Sequence, residues 1–323
     1  MSKLATRPYD KGLCELGNGL YAWLQPDGGW GWSNAGLIVD GEDSLLVDTL
    51  FDLDLTGAML KAMRDAEPLA AADIGTLVNT HANGDHCNGN CLVSEAEIIS
   101  SVTCAEEMRH ETPGLMMDYL AAAPELGEMG QFFIECFGHF GFDKVTQRYP
   151  DTTYSGQLER QVGDKKVQMI EVGPAHTGGD TLVYVPDDRT IFTGDILFIE
   201  GHPMIWNGPV SNWIAACDRM MNMDIDTVVP GHGPITDKRG VAAVGDYLRY
   251  ISKEARQRYD AGLNLFDAAM DISLSDYDSW GDSERIVANI ATLYREFDHD
   301  TSPPDIAAIF ALMAKIHYQR RRR

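Results

Sequence analysis

A polar loop that follows an apolar run is the feature that most constrains this chain. The run, Ile-Gly-Thr-Leu-Val, covers residues 74–78, and the loop, Thr-His-Ala-Asn-Gly-Asp-His, covers residues 80–86. A short apolar run bounded by polar residues predicts a buried strand. The loop then presents the imidazoles of His81 and His86 and the carboxylate of Asp85 at one edge of a sheet. Zn²⁺, Fe²⁺ and Mn²⁺ accept these ligands, so the loop predicts a metal site and metal-assisted hydrolysis.

Three further loops carry the same residue types beside strand-like runs. They are Gly-Pro-Ala-His-Thr-Gly-Gly-Asp around His176, Phe-Thr-Gly-Asp ending at Asp195, and Val-Val-Pro-Gly-His-Gly-Pro around His232. Glycine permits tight turns, which let each side chain point back over the sheet edge. These loops therefore add three candidate ligands to the first loop.

Together the four loops resemble those of the metallo-β-lactamase superfamily. The resemblance covers about residues 18–240 and rests on the order and spacing of His81-x-Asn83-x-Asp85-His86, His176, Asp195 and His232. The joint pattern is highly specific, whereas any one loop alone is weak. The resemblance implies an α/β fold, an αββα sandwich of two mixed β-sheets flanked by helices.

The resemblance also implies a binuclear metal site. The first metal would be held by His81, Asn83 and His176, the second by Asp85, His86 and His232, and Asp195 would bridge both. Asn83 stands where the family has a histidine, and its amide oxygen is a weaker donor than imidazole. Three outcomes remain open: Asn83 ligates or holds a metal-bound water and two metals bind, only the second site binds, or the site is an inactive relic. Zn²⁺ is the expected ion, with Fe²⁺ or Mn²⁺ as alternatives.

We therefore expect a metal-dependent hydrolase that cleaves an ester, thioester or lactone of a small apolar or aromatic compound. Metal-bound hydroxide would attack the carbonyl carbon, with Asp85 as a catalytic residue that orients it. The alternatives are a sulfate or phosphate ester hydrolase, an iron-dependent redox enzyme on the same scaffold, and a ligand-binding relic without activity. The sequence has no GxSxG elbow, P-loop or HExxH motif, which disfavours other hydrolytic mechanisms.

Three further residues are candidates for substrate binding. Trp30 and Trp32 lie in a glycine-rich loop and are costly to expose unless they cover something. They either flank an apolar substrate or pack against a neighbouring segment. His202 follows Asp195 by seven residues in the sequence and is a candidate for contact with the substrate or with the metal ligands.

The strand-like runs fall into two sets, each followed by helical patterns. Strands are predicted at 20–24, 36–39, 44–47, 74–79, 97–100, 167–172, 181–185, 190–193 and 227–229, and helices at 52–66, 102–110, 210–223 and 305–318. We expect one αββα domain over residues 1–240, with a Met- and aromatic-rich helical insertion at about 105–150 that packs on the body or roofs an apolar pocket. Residues 241–323 are predicted to form a helical C-terminal extension packed on the same domain, which completes the monomer core or buries a homodimer interface.

The charge of the chain disfavours polyanionic partners. Lys and Arg number 26 and Asp and Glu 49, giving a net charge of −23. Such a surface repels nucleic-acid phosphates and anionic membranes. No apolar run approaches the ~18 residues of a membrane span, and the first residues lack a signal-peptide pattern. We expect a cytoplasmic protein that acts on a small-molecule substrate, without a nucleic acid or membrane partner.

Overall fold

The computed structural model describes residues 3–322, and within that range twelve strands form two sheets. The first sheet has the strand order β1-β2-β3-β4-β5-β6-β7: β1 (Gly12–Gly17), β2 (Leu20–Leu24), β3 (Ala35–Asp40), β4 (Asp43–Val47), β5 (Thr76–Val78), β6 (Glu97–Ser101) and β7 (Thr152–Tyr154). Strands β1 to β4 pair antiparallel, whereas β4 to β7 pair parallel, so the sheet is mixed.

The second sheet is also mixed. Its order is β12-β11-β10-β9-β8: β8 (Gln157–Val162), β9 (Lys165–Glu171), β10 (Thr181–Val185), β11 (Thr190–Phe192) and β12 (Thr227–Val229). Only the β11–β12 pair is parallel among these described strands. The helices are α1 (Leu53–Ala66), α2 (Gly84–Cys87), α3 (Val102–Glu107), α4 (Pro113–Ala122), α5 (Gly127–Phe137), α6 (Val210–Asn222), α7 (Lys238–Asp260), α8 (Leu265–Asp271), α9 (Ile286–Asp298) and α10 (Ile306–Arg321).

Alternate side chains of the strands pack into different layers. Ile38 of β3 lies in the core between the two sheets together with Phe192 of β11. The next side chain along β3, Leu37, faces the other way and packs with Met59 of α1. The outer face of the second sheet packs against α6, α7 and α9, with Trp213 fully buried. These layers form the predicted αββα sandwich, which is confirmed.

Several predicted boundaries were wrong. Strands β1, β7 and β8 were not predicted, because they carry many polar side chains and lack a continuous apolar run. In β8, exposed and half-buried positions alternate until the buried Val162, as expected of an edge strand. The strand predicted at 74–79 is shorter, since β5 spans only Thr76–Val78. The helix predicted at 102–110 ends earlier, at Glu107.

The insertion and the extension are both helical. Helices α4 and α5 lie between β6 and β7, and α5 packs against α10 of the C-terminal extension. No helix in residues 3–322 combines the length and apolar character required to cross a membrane.

Candidate metal centre

The loops after strands of both sheets meet at one point of the structure. His81 follows β5, and Asp85 and His86 lie on α2. His176 follows β9, Asp195 follows β11, and His232 follows β12. All of these ligand residues are buried, whereas Asn83 is half-buried. The structure therefore brings together all seven residues that the sequence predicted as ligands.

Two groups of ligand atoms form within this cluster. His81, His176 and Asp195 make one group, and Asp85, His86 and His232 make the other, with the ligand atoms of each group within 4.8 Å of one another. In the first group, Oδ2 of Asp195 lies 3.4 Å from Nε2 of His176 and 3.8 Å from Nε2 of His81. In the second, Oδ2 of Asp85 lies 3.3 Å from Nε2 of His232 and 3.8 Å from Nε2 of His86.

Asp195 lies between the two groups. Its Oδ1 is 3.1 Å from Nε2 of His86, and its Oδ2 is 3.4 Å from Nε2 of His232. The same carboxylate therefore faces imidazoles of both groups, which is the position that a bridging ligand requires.

Each of the four histidines uses its Nδ1 to donate a hydrogen bond away from the cluster. Nδ1 of His176 faces the carbonyl of Met204 at 2.6 Å, and Nδ1 of His232 faces the carbonyl of Gly28 at 3.2 Å. A carbonyl only accepts, so both Nδ1 atoms must be protonated.

The other two histidines reach the same buried carboxylate. Nδ1 of His86 donates to Oδ2 of Asp48 at 2.9 Å. The hydroxyl of Thr80 donates to Asp48 at 2.7 Å and so accepts from Nδ1 of His81 at 3.0 Å. With Nδ1 protonated in this way, each ring in its neutral form carries its lone pair on Nε2, the atom that faces the cluster.

The donor set fits divalent cations. The Nε2 atoms of His81 and His86 and Oδ1 of Asp195 are buried without a hydrogen-bond partner in the protein. Burying such acceptors beside two carboxylates is costly unless a positive charge compensates them. Burial opposes a charge on His232, but Asp195 and Asp85 outweigh it and raise the pKa of His232 to about 9. The cluster therefore attracts positive charge, and its donor atoms are those that Zn²⁺, Fe²⁺ and Mn²⁺ accept.

Asp48 is the supporting residue that the sequence analysis missed. Its side chain is buried and accepts from His86, from the hydroxyl of Thr80 and from the backbone N–H of Thr80 at 2.7 Å. It directly follows β4, which pairs parallel with β5, so its position beside the loop at 80–86 was a usable signal. Asp48 fixes the orientation of one histidine from each group.

A cavity of about 550 Å³ opens onto the cluster. Asn83, Asp85, His176, Asp195 and His232 lie at its polar end. The remaining wall is largely apolar and comes from α4, from Phe133 and Phe137 of α5, and from Phe310 near the start of α10. Segments outside these helices add Phe51, Phe198 and Trp206. Part of the helical insertion therefore roofs an apolar pocket, as one of the two sequence interpretations proposed.

The three residues predicted to contact substrate lie in different environments. Trp30 lines the cavity. Trp32 does not, because it stacks on His139 at 5.2 Å between ring centroids and packs against Phe140. His202 is fully buried behind the wall, where its Nδ1 lies 3.1 Å from the hydroxyl of Tyr247. The geometry therefore places only Trp30 of these three where a substrate can reach it.

The C-terminal extension supplies a part of the wall that the sequence analysis did not anticipate. Arg285 lines the cavity, with its guanidinium 4.5 Å from the ring centroid of Trp30 and 5.2 Å from that of Phe198. It also donates to the carbonyl of His202 at 3.1 Å and pairs with Asp282 at 3.1 Å. Arg285 thus packs against the aromatic rings of Trp30 and Phe198 in the cavity wall. Because Arg285 and Trp30 are far apart in the sequence, no local pattern predicts this contact.

Comparison with known proteins gives the family. The sequence profile described as the metallo-beta-lactamase superfamily matches residues 28–232. The chain belongs to the metallo-beta-lactamase superfamily. The family predicted from the loop pattern is confirmed, and the matched range includes every predicted ligand of this superfamily member.

The names of the curated relatives describe several different activities. The chain is 26% identical over 188 residues to the 2,4-dinitroanisole O-demethylase subunit alpha of Nocardioides sp.. This alignment covers 52% of this chain and 48% of the relative. The chain is also 24% identical over 256 residues to a linear primary-alkylsulfatase of Pseudomonas sp.. This alignment covers 69% of this chain and 46% of the relative. The chain thus spans about half the length of these two relatives.

A solved structure extends the likeness beyond the matched range. An inverting sec-alkylsulfatase from Pseudomonas sp. superimposes with a TM-score of 0.65 at 16% identity, covering 92% of this chain and 51% of that protein. At this identity the likeness shows a shared fold and no more.

Proposed function

We propose that this chain is a metal-dependent hydrolase that cleaves an ester, thioester or lactone of a small apolar or aromatic compound. The observation that carries the proposal is the position of the cluster, where Nε2 lone pairs and carboxylates converge at the end of an apolar cavity. Such a cavity binds the apolar part of a substrate and leaves its reactive group beside the metals.

We propose that the ligand residues hold two ions and that both are Zn²⁺. His81, His176 and Asn83 would hold one, Asp85, His86 and His232 the other, and Asp195 would contact both. Bound metal ions supply a Lewis acid and lower the pKa of water toward about 7. Asp85 lines the cavity as well as facing His232, so its carboxylate is placed to orient an attacking water.

The apolar wall selects the substrate and excludes water. Trp30, Phe51 and Phe310 present aromatic surface to the cavity. Each 100 Å² of apolar surface removed from water contributes about 2.5 kcal/mol, so an aromatic or alkyl group gains several kcal/mol by entering. Displacing water from the wall also strengthens the electrostatic contribution of the cluster at the reacting group.

A sulfate ester hydrolase is a second candidate. A linear primary-alkylsulfatase is among the curated relatives, and its alignment covers 69% of this chain. An alkyl or aryl sulfate would place its apolar part in the same cavity. The distinction between the two candidates lies in the group that is cleaved.

The test is a panel of p-nitrophenyl esters, thioesters, lactones and p-nitrophenyl sulfate. Protein loaded with Zn²⁺, Mn²⁺ or Fe²⁺ is assayed with and without chelator. We expect hydrolysis of an apolar ester that chelator abolishes and that falls at least 100-fold in Asp85→Ala. Asp143→Ala, which removes an exposed carboxylate, is the matched control and should retain activity. Activity that survives chelation or the Asp85→Ala change would contradict the proposal.

A further inference from the structure

Two neighbours fix the direction of the Asn83 side-chain amide. Its Nδ2 donates to Oε2 of Glu111 at 2.8 Å, and its Oδ1 lies 2.8 Å from Nε2 of His176. A carboxylate only accepts hydrogen bonds, so the amide NH₂ group must face Glu111. The amide oxygen is thereby turned toward His176 and the first group of ligands.

The contact between Asn83 and His176 joins two acceptors. Nδ1–H of His176 donates to the carbonyl of Met204 at 2.6 Å, which leaves a lone pair on Nε2 of the neutral ring. This lone pair and the amide oxygen of Asn83 have no proton to share. A cation that both atoms ligate removes their repulsion and accounts for their close approach.

Asn83 does not use its side chain in the way its position favours. It is the N-cap residue of α2, where asparagine side chains commonly accept from the backbone, yet it makes no capping hydrogen bond. The side chain is engaged instead by Glu111 and His176. These two contacts indicate that the Asn83 side chain serves the ligand cluster and does not cap the helix.

We propose that Glu111 is a positioning residue of the first metal site. Its carboxylate holds the Asn83 amide so that the oxygen serves as a metal ligand in place of the histidine usual at this motif position. Residues that orient metal ligands typically contribute 10–100-fold to metal affinity. The inference deepens the proposed function and rests on it only for the presence of the metal site.

Titration with Co²⁺, followed by visible absorption, tests the inference without an activity assay. The metal-free wild-type chain should bind two Co²⁺. Glu111→Gln keeps the size of the side chain, but its amide both donates and accepts, so Asn83 is no longer held in one orientation. We expect one Co²⁺ to bind 10–100-fold more weakly, with a changed absorption band, and the other to bind as in wild type.

Two further variants separate positioning from a general structural effect. Glu106→Gln removes an exposed carboxylate from the neighbouring helix α3 and should bind both ions as wild type does. Asn83→Ala removes the amide, so adding Glu111→Gln to it should weaken binding by less than about twofold.

Wild-type affinities in Glu111→Gln, binding of a single Co²⁺ by the wild type, or an equal loss with and without Asn83 would each overturn the inference. If the predicted Co²⁺ pattern is found but no ester or sulfate is hydrolysed, the inference stands and the proposed function fails.

Discussion

Replacing Asp48 by asparagine should disable a metal ligand that the substitution does not touch. Asp48 accepts a hydrogen bond from Nδ1 of His86 at 2.9 Å and two more from the hydroxyl and N–H of Thr80. In Asp48→Asn, the side-chain oxygen can keep the backbone N–H of Thr80, which Oδ1 of Asp48 accepts, and the NH₂ group then takes the place of Oδ2 and faces both Nδ1 of His86 and the hydroxyl of Thr80. Nδ1 of His86 can accept a hydrogen bond from this NH₂ group only if the ring carries its proton on Nε2, and Nε2 is the atom that faces the metal site.

The size of the effect follows from the loss of one ligand and its support. A supporting residue typically contributes 10–100-fold to metal affinity, or about 1.4–2.7 kcal/mol. The second group should be affected most, because His86 belongs to it. The fold should persist, because asparagine has nearly the size of aspartate and tolerates the φ of 63° at this position.

Competition between the protein and a chelator for Zn²⁺ measures this loss. The matched control is Asp52→Asn, another buried aspartate of the same loop, which caps α1 through the N–H of Leu55 at 2.8 Å. Asparagine caps helices equally well, so this control should bind Zn²⁺ as wild type does. Wild-type affinity in Asp48→Asn would refute the reasoning that the partner of Nδ1 keeps the proton of the ring away from the Nε2 atom that faces the metals.

Two further predictions concern the cavity. Trp30→Ala should raise KM for an apolar aryl ester about five- to thirtyfold, from about 1–2 kcal/mol of lost contact, whereas Trp32→Ala should lower Tm and leave KM within about twofold. An equal change of KM in both variants would contradict the assignment of Trp30 to the cavity wall. Burial raises the pKa of Glu107 from 4.5 to about 7. Its stability contribution is therefore present below about pH 4.5 and is lost as the pH rises through 7. Glu107→Gln should accordingly be more stable than wild type at pH 8 by about 1–2 kcal/mol, after allowance for partial exposure, and equal to it at about pH 4.5, as measured by urea unfolding. The same stability difference at both pH values would count against the raised pKa.

Sequence patterns predicted the parts of the structure in which a buried strand is itself an apolar run and the following loop is rich in glycine and polar residues. The strands β2 to β6 and the loops that carry His81, His176 and His232 were found because apolar runs end in glycine-rich polar turns. The family, and with it the sandwich, followed from the spacing of those loops. The general class of metal-dependent hydrolase agrees with this membership.

The parts that could not be predicted depend on contacts between distant segments. Asp48 supports the histidines only because β4 and β5 pair in parallel, and Glu111 reaches Asn83 from beyond α3. Arg285 meets Trp30 only after the C-terminal helices fold onto the second sheet. Trp32 and His202 resembled site residues by sequence position, but packing directs both side chains elsewhere.

The most direct test is elemental analysis of the metal ions bound to the purified chain after dialysis. Four imidazoles aim their Nε2 atoms at two buried carboxylates, and this donor set fits two divalent cations. We expect about two Zn²⁺ per chain, falling to about one when Asp48 or Glu111 no longer positions its partner. A chain that folds and retains no stoichiometric metal would contradict the account, and stoichiometric iron with a visible absorption band would support redox chemistry in place of hydrolysis.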